Sequence, residues 1–200
     1  TGSVPAHLRH DDNLWIGLSQ RSRIIAFSHE RVKAEELSTY EDLADPKWQG
    51  KICVRSSDNI YNQSLLASMI AHHGADSARE WAEGVVANMA RKPKGNDRAQ
   101  VTAVATGECD LAIVNNYYIG NMVRSSDEAE REAVSKITVF YPNQNDRGAH
   151  MNVSGIGITK HARHAENAEK LIAFLVSDES QQWYAETNNE YPVRDDVSVS

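Results

Sequence analysis

The stretch Asp110-Leu-Ala-Ile-Val-Asn-Asn-Tyr-Tyr118 decides how this chain is read. Asp110 to Val114 is a short apolar run of the length expected for a buried strand. The paired tyrosines Tyr117 and Tyr118 follow at its carboxyl end, where open α/β sheets bind their ligands. A second segment repeats the layout: Lys51-Ile-Cys-Val-Arg55, then the polar loop Ser56 to Asn59, then Tyr61. Two parallel strands that each deliver tyrosine from the same edge aim three phenols at one crevice.

The wider chain supplies the helices such a sheet needs. A strand is expected over Arg23–Phe27, preceded by Trp15-Ile-Gly-Leu, and a short helix over Glu35–Leu43, stopped by the turn Asp45 to Gly50. Ser64–His73 reads as a helix with Leu65, Leu66, Met69 and Ile70 on one face and Gly74 closing it. Ser77–Met89 is a second amphipathic helix, and Asp97–Thr106 a third. Beyond the tyrosine pair, Ser125–Glu132 is a solvated polar run expected as helical surface, Ile137–Tyr141 a strand and Met151–Thr159 strand-like, with Gly155 and Gly157 permitting close backbone approach. Helices over Ala165–Val176 and Asp178–Asn188 complete the series. Strands alternating with helices predict an α/β fold.

Composition narrows the function classes. The chain has 200 residues, 21 Lys and Arg against 28 Asp and Glu, and a formal net charge of −7. That balance argues against nucleic acid or an anionic membrane as partner. No apolar stretch is long enough to span a bilayer, and Thr1-Gly-Ser lacks the features of a signal peptide. The two cysteines, Cys53 and Cys109, lie in or beside the two tyrosine-bearing strands. A disulfide and an oxidising compartment is one reading of that placement, and two buried free thiols is the other. No Cys/His spacing suits zinc. No nucleophile motif or acidic pair marks an enzyme, so a hydrolase on this scaffold is disfavoured.

Three converging phenols suit a hard, highly charged cation. A trivalent ion at bonding distance strips the phenolic proton, and phenolate oxygen matches Fe(III) better than Zn(II) or Cu(I). Three phenolates balance three positive charges. An accompanying anion needs donors, and the candidates are Arg21, Ser56, Ser57, Asn59, Asn96, Asn115 and the backbone N–H groups opening the helix after Tyr61. Each has a plainer reading: Arg21 as a surface residue, Asn96 as a turn residue and helix cap, and any single tyrosine as amphipathic packing. His72-His73, at a helix end before Gly74, is better explained by the helix dipole than by a metal.

These segments resemble the ferric-ion-binding proteins of bacterial ABC importers, within the periplasmic solute-binding protein superfamily. The resemblance rests on Trp15-Ile-Gly-Leu-Ser-Gln-Arg-Ser-Arg23, Leu37 to Trp48, Cys53 to Ser64 with its Ile-Tyr-Asn-Gln, Gly95-Asn-Asp-Arg98, Gly107 to Tyr118 and Glu190-Tyr-Pro-Val-Arg194. It implies a periplasmic-binding-protein-like α/β fold: mainly one lobe, a parallel or mixed sheet flanked by helices, plus part of the other lobe. It implies a crossing segment over 1–27, a ligand-binding lobe over 28–140, a return segment over 141–192 and a second crossing over 193–200. It also implies that most of the first lobe, with its own ligand residues, lies outside this chain. Tyr61, Tyr117 and Tyr118 are then iron ligands. Arg21 then contacts an anion such as carbonate and Asn96 and Asn115 line the site, while Ser57 and Asn59 remain anion donors read from the residues alone. The implied role is extracytoplasmic capture of Fe(III) for an ABC permease in the membrane, without insertion of this chain. A carrier of an oxyanion or a small organic cation (phosphate, thiamine or polyamine) is the alternative. Asp58 departs from the family's small hydroxyl residue.

Overall fold

The computed structural model describes residues 2–197. Its contacts divide the chain into two units, one from Ser22 to His150 and one formed by the residues up to Arg21 together with those from Met151 onward. These boundaries differ from the expected ones at 27/28 and 140/141. The strand that was expected to begin at Arg23 runs unbroken from Ile16 to Ser28 (β1). The polar stretch Ser19 to Ser22 stays in the strand because its backbone is paired: Gln20 and Tyr191 exchange hydrogen bonds of 2.8 and 2.7 Å.

The unit Ser22–His150 is a sheet between two helical layers. Its strands are β1, β2 (Ile52–Cys53), β3 (Leu111–Asn115) and β4 (Ile137–Phe140), in the order β2-β3-β1-β4. β2 and β3 are parallel, whereas β1 is antiparallel to both β3 and β4, so the sheet is mixed. All five residues of β3 are buried. Alternation along the strand assigns them to opposite faces. Leu111 and Ile113, with Ile25 and Phe27, pack on Tyr40, Leu43, Trp48, Leu65 and Met69. Ala112 and Val114, with Ile24 and Ala26, pack on Val101, Val104, Met122 and Val134. This two-sided burial is what a continuous apolar run encodes.

The helices of this unit are α1 (Ile60–Ala87), α2 (Asp97–Ala105), α3 (Asn116–Val123) and α4 (Glu128–Ser135). α1 is bent where Gly74 takes φ 82°, a conformation open to glycine, so its two halves correspond to the two helices read on either side of that residue. Ile70, expected on the buried face, is 45% exposed. α3 has no counterpart in the sequence reading, which assigned no element to the tyrosine pair after the strand. Of the segment Glu35–Leu43, read as one helix, only two 3-10 turns form, Ala34–Glu36 and Glu41–Ala44.

Cys53 and Cys109 form a disulfide with Cα atoms 5.9 Å apart, which resolves the two open readings. It ties β2 to the segment leading into β3, the parallel pair that carries the tyrosines.

In the other unit, β5 (Met151–Ile156) pairs with β1, and α5 (Ala165–Leu175) and α6 (Asp178–Trp183) follow. Val4, Leu8, Ile16, Ile172, Val176 and Val193 form its core. A Cβ on Gly157 would collide with the carbonyl oxygen of Leu14, the close backbone approach expected there. Among the described residues, no helix is long and apolar enough to cross a membrane.

Glu41 anchors the exposed side of the larger unit. Burial alone would raise its pKa, but hydrogen bonds from Asn143, Arg147 and His73 outweigh it and hold the carboxyl at about 2, against an ordinary 4.5. His73 contacts it at 2.6 Å, which accounts for that histidine without a metal. A depressed carboxylate stabilises the fold above its unfolded pKa and ceases to do so as pH falls through its folded one. Stability should therefore be lost between pH 4.5 and about 2 through this group. Glu41→Gln should flatten that limb in urea melts taken at stepped pH, and an unchanged slope would show that other carboxylates dominate.

Candidate metal centre

Both tyrosine segments place an asparagine at the cap position of a helix. Asn59 caps α1, its side-chain oxygen accepting the backbone N–H of Tyr61 at 3.0 Å. Tyr61 is therefore the second residue of a helix. Asn115 occupies the cap position of α3, so Tyr117 is likewise the second residue of its helix and Tyr118 the third. β2 and β3 are parallel, and each runs on into one of these helices, α1 after a short loop and α3 directly. The phenols thus sit beside two helix N-termini, whose partial positive charge favours anions.

The three rings meet. The hydroxyls of Tyr61 and Tyr117 are 3.3 Å apart. The rings of Tyr117 and Tyr118 stack with centroids 4.3 Å apart and an interplanar angle of 29°. Burial, then hydrogen bonding to the Tyr118 and Tyr61 hydroxyls, pushes the Tyr117 pKa up. In the metal-free protein burial and these hydrogen bonds hold the Tyr117 phenol neutral, and a cation must displace its proton to use it. The guanidinium groups of Arg55 and Arg23 lie 5.6 and 5.9 Å from the Tyr61 ring centroid. Among the described residues no group of three or more His, Cys, Asp or Glu gathers for a metal.

The candidate anion residues are placed differently from one another. Arg21 lies in the other unit, where its guanidinium contacts Ser154 and approaches Glu190 at 3.9 Å. Asn96 is exposed and caps α2 by accepting from the Ala99 N–H at 3.2 Å, its plainer reading. Asn115 is fully buried, its side-chain oxygen accepting from Arg23 at 3.1 Å. Ser57 is exposed and lines an apolar cavity of about 230 Å³ with Leu65, Leu66 and Trp81, which none of the three tyrosines lines. Ser56 donates to Asp58 at 3.1 Å, so that unusual acid closes an exposed turn.

The sequence reading missed the residues beneath the phenols. Arg23 and Asp97 form an ion pair at 3.0 Å with both side chains 0% exposed. Arg55 reaches the second oxygen of Asp97 at 3.3 Å. Asn62, next to Tyr61, accepts from Arg23 at 2.6 Å. A signal was available in Arg23, a charge at the head of the apolar run Ile24–Phe27.

Residues 2–200 match the family model for bacterial extracellular solute-binding proteins. The chain belongs to that family. It is 50% identical over 191 residues to iron uptake protein A1 of a Synechocystis species, an alignment covering 96% of this chain and 53% of that protein. The major ferric iron-binding protein of Neisseria meningitidis is 26% identical over 195 residues, covering 97% and 56% of the two chains. Among solved structures, a Trichodesmium IdiA/FutA protein in complex with iron and citrate superposes with a TM-score of 0.95 at 49% identity. It is covered over 63% of its length, and this chain over all of it. A ferric binding protein from Campylobacter jejuni gives 0.95 at 39% identity, with 63% of it covered. The chain spans little more than half the length of the curated relatives it matches.

Proposed function

We propose that this solute-binding chain takes up Fe(III) through the phenolate oxygens of Tyr61, Tyr117 and Tyr118 and serves its delivery to an ABC permease. The observation that carries this reading is the convergence of three phenols beside two helix N-termini, with the Tyr61 and Tyr117 hydroxyls 3.3 Å apart. Three phenolates match the charge of a trivalent cation. Relatives named for ferric iron support Fe(III) as the cargo. The disulfide suits an extracytoplasmic location. An accompanying small anion, carbonate or a carboxylate, would complete the coordination sphere.

Proton competition tests this reading. Each phenol must lose a proton to bind, and the Tyr117 pKa is raised, so affinity must fall as pH falls. Fe(III) loading is to be measured against citrate from pH 8 to pH 5, corrected for the chelator's own protonation. A loss of affinity with a log–log slope near three is expected. A flat profile would mean that no phenolate binds the metal.

A further inference from the structure

We infer that the buried Arg23–Asp97 pair is the positioning element that holds the two tyrosine segments in register for the metal. The inference rests on the function proposed above and deepens it.

The contacts of this pair are distributed in a particular way. One Arg23 nitrogen, Nη2, donates to the side-chain oxygen of Asn62 at 2.6 Å and to the carbonyl of Ile113 at 3.1 Å. The other, Nη1, donates to Asp97 at 3.0 Å and to the Asn115 side chain at 3.1 Å. The same Asp97 oxygen accepts the backbone N–H of Asn115 at 2.9 Å. Asn62 follows Tyr61 directly, and Asn115 precedes Tyr117 by two residues. One guanidinium fork therefore grips the first turn of α1 and the cap of α3. A lysine cannot do so, because its donors radiate from one nitrogen and not from a planar fork. Asn62 extends the link by donating to the Arg55 carbonyl at 2.8 Å, which ties down the segment that follows β2.

Stability does not explain the arrangement. Taking an ion pair fully out of water is costly, and apolar replacement of both partners is often neutral or favourable. Here Arg23 Nε and Asn115 Nδ2 are also buried with no hydrogen-bond partner among the described residues. Unsatisfied buried donors add to the cost. A cluster built for cohesion would satisfy them. A cluster built to set the distance between Tyr61 and Tyr117 needs only the fork and its two asparagines. Sites of this kind depend on the shell behind the ligands, whose loss typically weakens metal binding by roughly 10–100-fold.

Two variants separate positioning from folding. Asn62→Leu cuts the link to Tyr61 while leaving the ion pair intact. Arg23→Lys keeps the buried charge and removes the fork. All three tyrosines remain in both. Ferric citrate is titrated into each metal-free protein, and the phenolate-to-iron charge-transfer band is recorded with the affinity. In both variants Fe(III) affinity should fall by at least ~10-fold and the band should shift, with far-UV circular dichroism unchanged. Affinity and band position within twofold and a few nanometres of wild type in both variants would overturn the positioning role. A wild-type protein that develops no band at all would instead overturn the metal reading beneath it, so the two failures are distinguishable.

Discussion

Replacing Tyr117 by phenylalanine should weaken Fe(III) binding by at least ~100-fold and leave the melting point of the metal-free protein within a few degrees. The first effect follows from coordination chemistry. Loss of a residue behind a ligand typically costs roughly 10–100-fold, and loss of an anionic ligand should cost more. Tyr117 is the central member of the set, hydrogen-bonded to Tyr118 and 3.3 Å from the Tyr61 hydroxyl. Its removal leaves two phenolates too few in charge to neutralise a trivalent ion. The second effect follows from packing. Phenylalanine keeps the ring and its stack on Tyr118, at 4.3 Å between centroids. Only a hydroxyl is lost, worth about 1 kcal/mol when hydrogen-bonded. Equilibrium competition against a chelator gives the first quantity and thermal unfolding the second. A variant that melts far lower but binds iron normally would make Tyr117 a packing residue.

Reduction of the Cys53–Cys109 disulfide should lower stability by about 4 kcal/mol, or roughly 10 °C in melting temperature. The bridge closes a loop of sequence separation 56, which contains all of α1 and α2. Cross-linking so long a loop removes much of the unfolded chain's freedom. Both sulfur-bearing residues are buried, so the native contacts should persist after reduction. The double variant Cys53→Ala/Cys109→Ala, melted with and without reductant, isolates the effect. Wild type in reductant should match the variant, and reductant should not move the variant at all. Equal melting points for oxidised wild type and the double variant would show that the bridge contributes no stability.

Much of this site is legible in the sequence because it is local. The run Leu111–Val114 announces a buried strand, and Tyr117 and Tyr118 follow it within four residues. The repeat of that layout at Cys53 and Tyr61 implied parallel strands with a shared edge, and β2 and β3 are parallel. What stayed hidden depends on pairing across long separations. Arg23 meets Asn115 across 92 residues and Asp97 across 74. Periodicity gives no sign of such contacts, and a charge at a strand's head looks like a solvated end. α3 escaped notice because its first turn is Asn-Tyr-Tyr, residues that favour turns or strands as readily as helix, and its cap position makes no side-chain hydrogen bond. The contact boundaries of the larger unit, at Ser22 and His150, are another feature that the sequence does not mark. They fall within β1 and just before β5, where composition does not change.

The most direct test of the tyrosinate centre is a visible-absorption titration of the metal-free chain with ferric citrate, repeated on Tyr61→Phe, Tyr117→Phe and Tyr118→Phe. Phenolate bound to Fe(III) gives a charge-transfer band that neither free ferric citrate nor an organic ligand produces. The expected result is a band that saturates at one iron per chain in wild type and is weakened or shifted in each variant. A wild-type titration without that band, or a band that survives unchanged in all three variants, would contradict the assignment of these phenols as the iron ligands.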